Sequence, residues 1–151
     1  MAYALDMLPQ PKAKIPCLEC GRCCMYVAVG INTPKTLRYA TDVLWYLYHE
    51  KVSVLLDGDG EWSVVFETRC RNLQPDLKCA TYLTRPEICR EYDDAVCEVN
   101  DPDAAARTFT APDEFLEFLK TWRPKVYKQV AAGFLPSPAS VAATSGDHST
   151  R

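Results

Sequence analysis

Apolar positions in "NTPKTLRYATDVLWYLYHE" (32–50) recur with a helical period, and Leu37, Ala40, Leu44, Leu47 and Tyr48 make one face. The spacing predicts a helix of about 16 residues. Asn32 or Thr33 would cap it, with Pro34 in the first turn, where a missing N–H costs nothing. The period then changes. "KVSVLL" and "EWSVVFE" alternate on either side of "DGDG", which predicts a β-hairpin. Val52, Val54 and Leu56 share one face with Trp62, Val64 and Phe66. A lone hairpin is marginal in water, so it should pack on the preceding helix. "TRPEICREY" predicts a short helix, with Thr84 and Glu87 at capping-box spacing, Pro86 in the first turn and Cys89 near the positive end. "NDPDAAARTFTAP" reads as a connecting segment. In "DEFLEFLKTW", Phe115, Phe118, Leu119 and Trp122 form a helical stripe. Pro124 interrupts it and starts "PKVYKQVAAGF", stopped at Gly133.

The ends carry no such pattern. Residues 1–16 read as an irregular arm, and the Pro/Ser/Ala-rich stretch 135–151 as a disordered tail. Between them, 17–134 is expected to form a single domain. The expected fold is α+β, small and loop-rich: a helix and hairpin packed on a cysteine-rich half, with C-terminal helices.

Composition narrows the partners. The chain has 151 residues, 48% of them hydrophobic, enough for a core of its own. A net charge of −3 gives no reason to expect nucleic acid or an anionic membrane. No apolar run reaches the roughly 20 residues that span a bilayer. The start, "MAYALDMLPQPKAKIP", has no basic region leading into an apolar core, since Asp6 and then Pro9, Pro11 and Lys12 interrupt it. A cytoplasmic, reducing setting follows, in which lasting disulfides are not expected. A disulfide scaffold is the alternative if an exported precursor exists.

Against that background, eight cysteines point to metal or redox chemistry: Cys17, Cys20, Cys23, Cys24, Cys70, Cys79, Cys89 and Cys97. The first four fall in "CLECGRCC". A two-residue gap lets two sulfurs of one turn face an ion at the ~2.3 Å zinc–sulfur distance. Gly21 supplies the positive-φ freedom such a turn uses. Extended to Cys23, the run also matches the arrangement that places three thiolates on a [4Fe–4S] cluster. The spacing leaves zinc and iron open. Adjacent Cys23 and Cys24 splay apart in most backbone conformations, so one of the two is a candidate for a second metal, an outer contact or a redox-active thiol. The later gaps of eight, nine and seven residues are too long for a knuckle, so those cysteines join only if the fold returns them to 17–24. Arg22, Arg69, Arg71, Arg85 and Arg90 flank the cysteines and can offset thiolate charge, or simply be solvated surface residues.

Two separated motifs here resemble the CxxCxxCC cysteine-cluster family of zinc- or iron-chelating domains. One is the run of four cysteines. The other is "CRNLQPDLKCATYLTRPEICR", which places Cys70, Leu73, Cys79, Tyr82, Arg85, Pro86, Cys89 and Arg90 on the family's later block. The resemblance spans roughly 15–95 and implies metal binding through Cys17, Cys20, Cys23, Cys24, Cys70, Cys79 and Cys89; Cys97 matches less closely. A similar cluster is attached to some larger protein-lysine methylases, but no glycine-rich cofactor loop follows a strand here.

Other chemistry is thin. His49 at a helix end reads as a cap or surface residue, and His148 lies in the tail. Asp57 and Asp59 belong to the turn, and Asp93 and Asp94 to a solvated helix end. No histidine is placed for cysteine catalysis. The reading is a metal-binding protein, its 17–134 a single cysteine-cluster metal-binding domain. The cysteine-rich half is stitched by Zn2+ or iron, with a [4Fe–4S] cluster one form of the latter, and with room for a protein partner. An iron–sulfur redox enzyme or accessory subunit, or a metal chaperone, is the alternative.

Overall fold

The computed structural model describes residues 20–91 and 105–133. The expected arm and tail, and Cys17, Cys97, Asp93 and Asp94, lie outside them.

The expected hairpin forms as β2 (Val52–Asp57) and β3 (Trp62–Glu67). Its register sets Val52 opposite Phe66, Val54 opposite Val64 and Leu56 opposite Trp62. The Asp57 carboxylate accepts the N–H groups of Asp59 and Glu61, both at 2.9 Å, so that aspartate builds the turn.

Two further strands complete an antiparallel sheet, where sequence reasoning expected only the hairpin. β1 (Tyr26–Ile31) pairs with β3, and β4 (Ala105–Phe109) with β2, giving the order β1-β3-β2-β4. The segment read as a connector therefore contains a strand. Its pairing sets Phe109 beside Val54, where the ring is buried.

The first helix, α1 (Leu37–Leu47), is shorter than its periodicity suggests. Thr36 caps it through Tyr39 N–H, in place of Asn32 or Thr33, and Pro34 precedes the cap. Its buried face is Ala40, Val43, Leu44 and Leu47, whereas Tyr48 is largely exposed. α2 (Glu87–Arg90) is a single turn. Its Thr84–Glu87 capping box does not form: Thr84 belongs to a 3-10 turn (Tyr82–Thr84), its hydroxyl bonds Thr81 O, and Pro86 stands at the N-cap. Cys89 N–H is already given to Pro86 O.

α3 (Pro112–Trp122) and α4 (Pro124–Gly133) follow, with Arg123 between them. At the start of α3, Glu114 Oε2 accepts Thr110 N–H (2.7 Å), Ala111 N–H (3.3 Å) and Thr110 Oγ1 (3.1 Å). A single carboxylate thus serves three donors at a helix start. Glu114→Ala is expected to lower stability by about 1 kcal/mol, read from the urea midpoint at unchanged slope.

α1, α3 and α4 and one face of the sheet close a single core. Trp62 stacks on Phe109 (centroids 5.7 Å, planes 4° apart) and meets Phe115 edge-on at 6.1 Å. Leu119, Val126 and Val130 from α3 and α4 join Val43 and Leu44 of α1 in the same cluster. The cluster leaves β1 at the sheet's rim. The cysteines gather at the other end of β3 from Trp62.

Candidate metal centre

The β1–β3 ladder is what brings distant cysteines together. Tyr26 pairs with Glu67, and the pairing runs on past both strands: Thr68 N–H bonds Met25 O (3.0 Å) and Cys70 N–H bonds Cys24 O (2.7 Å). The first cysteine run and Cys70 are thereby joined through their backbones.

Before β1 the chain turns tightly. Gly21 has φ 62, and the 3-10 turn Arg22–Cys24 follows it, closed by Cys24 N–H to Gly21 O (3.1 Å). A Cβ on Gly21 would lie 3.2 Å from Leu73 Cδ1 and 3.3 Å from Leu77 Cβ and O. Positive φ and this close approach both demand glycine. Gly21→Ala is expected to cost about 1–2 kcal/mol for the backbone alone. It should also weaken metal binding, because Leu77 must shift; a binding titration beside a denaturation curve checks both.

After Cys70 the chain doubles back. Leu73 bridges Cys79, Gln74 N–H bonds Lys78 O (2.8 Å) and Ala80 N–H bonds Asn72 O (2.8 Å). Leu73 is buried, anchoring this loop under Gly21. Arg69 reaches along it to Leu73 O at 2.9 Å, so this arginine has a structural task beside any offset of charge. Cys79 Sγ lies 3.7 Å from Thr81 Oγ1, and the chain then passes through Arg85, whose guanidinium covers the Tyr82 ring at 4.1 Å, to Cys89 on α2.

Cys24 lies within electrostatic reach of other thiols. Burial pushes its pKa up, and the neighbouring charges of Cys70, Cys79 and Cys89 add to that, while a hydrogen bond with the Cys23 side chain opposes it. Cys23 and Cys70 therefore adjoin Cys24, and Cys79 and Cys89 lie within electrostatic reach of it. Cys20 adjoins them in sequence and is half-buried. All six described cysteines are free thiols. Among the described residues, no three ligand side chains converge closely enough to hold an ion as they stand.

His49 plays another role. Its Nδ1 lies 2.8 Å from Trp45 O, which can only accept, so Nδ1 carries the proton at that helix end. The ring also meets Trp45 edge-on at 5.0 Å. The described cysteines offer sulfur donors, the type that suits zinc and iron–sulfur centres. Sequence reasoning did not single out the buried Nε of Arg85, which has no hydrogen-bond partner among the described residues. A buried N–H so close in sequence to these thiols is suited to a thiolate acceptor. The residues present fit a thiolate-bound metal.

Fold and site together define a small α+β protein with a thiol cluster at one end of its sheet. The chain belongs to the CxxCxxCC family, described as a putative zinc- or iron-chelating domain, whose family model matches residues 16–115. That description supports metal binding. No curated protein and no solved structure matches the chain. No helix among the described residues is long and apolar enough to cross a membrane.

Proposed function

We infer that this protein holds zinc or iron through thiolates drawn from Cys17, Cys20, Cys23, Cys24, Cys70, Cys79, Cys89 and Cys97. The supporting observation is the backbone ladder that joins the two cysteine regions and bonds Cys70 N–H to Cys24 O, with Cys79 and Cys89 within electrostatic reach of Cys24. The metal stitches a loop-rich half that has few buried apolar side chains, Leu73 being the main one. Binding free energy is then folding free energy for this half. As zinc, the centre is closed and structural. Four thiolates hold a [4Fe–4S] cluster, which carries electrons, and Cys23 is among the thiols then left over for chemistry. The all-sulfur donor set accommodates either. The setting is cytoplasmic, where the thiols stay reduced.

Zinc titrated into metal-stripped full-length protein tests thiolate ligation. Because its pKa is raised, the Cys24 thiol keeps its proton at neutral pH, and a metal must displace it. Binding should release more than one proton per ion, and affinity should climb as pH rises towards the thiol pKa values. Binding without proton release would rule out thiolate ligands.

A further inference from the structure

We propose that β1 and the cleft at its end form a docking site for an extended segment of a partner protein carrying a lysine or arginine. This goes beyond metal binding and uses none of the cysteines. α1 presents Tyr39, Asp42 and Tyr46 at helical spacing towards the ends of β1 and β3, and between them lies a cleft of about 520 Å³. Glu61 and Trp62 close it from the hairpin side, and no lysine or arginine lines it. Neither carboxylate is in an ion pair among the described residues. Tyr46 is seated edge-on against Phe66 at 6.3 Å, so the wall is firm.

Two carboxylates and two tyrosine rings around one cleft suit an ammonium or guanidinium group. Each exposed carboxylate alone would attract weakly, but a walled cleft of one sign focuses the field, and the rings add attraction for a cation.

A polypeptide is favoured over a free amine by what adjoins the cleft. β1 is a rim strand, and among the described residues no strand pairs with the outer edge of residues 27–31. Its sequence, YVAVGI, has no charge and no proline. β4, at the other rim, carries Arg107 and a register shift against Leu56/Asp57, devices that discourage pairing. Val27 and Val29 point to the core side of the sheet, opposite Phe66 and Val64, yet each is 49% exposed. An added antiparallel strand would bond the β1 edge, lay apolar side chains beside Val27 and Val29, and bring a basic residue at its N-terminal end to the cleft beside Ile31.

The probe is the peptide acetyl-Lys-Thr-Val-Thr-Val-amide, titrated into 15N-labelled full-length protein. The amides of Val27, Val29 and Ile31 and the Trp62 indole N–H should shift together. Norleucine in place of lysine, or the Asp42→Asn/Glu61→Gln protein, should weaken binding at least tenfold. Nα-acetyl-lysine methylamide should bind at least tenfold more weakly than the peptide and leave Val27 and Val29 unmoved. Equal binding of the norleucine peptide to the natural chain would overturn the charge argument. Equal binding of the small amine would overturn the polypeptide partner, and no shift with any probe would overturn the site itself.

Discussion

Replacing Cys24 with serine is expected to lower metal affinity by more than about 100-fold, since even outer contacts of metal ligands are worth 10–100-fold. Serine keeps the shape, but its hydroxyl is a hard, weakly acidic donor that soft metal centres reject. Cys24 is the position where the influence of Cys70, Cys79 and Cys89 converges, and its carbonyl holds Cys70 in place. The variant should therefore lose metal while the Cys24 O to Cys70 N–H bond, which is backbone, survives. Cys20→Ser is expected to behave similarly. Cys97→Ser should lose much less, because its place in the family pattern is the weakest. Metal content by mass spectrometry, beside a melting curve for each variant, separates these. Equal losses in all three would show Cys97 to be a full ligand, and full retention in Cys24→Ser would remove that residue from the site.

Phe115→Ala is expected to destabilise the fold by about 3–5 kcal/mol while leaving the metal affinity of the folded protein unchanged. The ring is fully buried and touches both Trp62 and Phe109 at about 6 Å, so its removal opens a cavity between α3 and the sheet. That junction lies at the Trp62 end of β3, whereas the thiols lie beyond Glu67 at the opposite end. A lower urea midpoint with unaltered zinc binding below the transition is the expected pair of results. Matching losses in both would mean that core and metal half fold as one unit.

How much of this was legible in the sequence varies with how local each signal is. The hairpin was readable because alternation on both strands and an aspartate-rich turn agree without help from elsewhere. The α3 stripe was readable for the same reason, as Phe115 and Leu119 are indeed buried. β4 was not, because AARTF holds one core side chain, Phe109, and becomes a strand only by pairing with β2. β1 was hidden by its position directly after the cysteines and by apolar residues on both of its faces. The first helix was read too long because Pro34 fits a first turn equally well as it fits the extended chain before Thr36. At the site, spacing identified the cysteines, and the family resemblance grouped them. The ladder that unites them, the packing of Gly21 on Leu73 and Leu77, and the buried Nε of Arg85 depend on tertiary contacts that spacing cannot encode.

That these thiols hold a metal is tested most directly by the metal content and visible spectrum of full-length protein purified anaerobically with no metal added. Stoichiometric zinc in colourless protein, or iron with sulfide in brown protein, is the expected result. Fully folded protein with neither metal would contradict it.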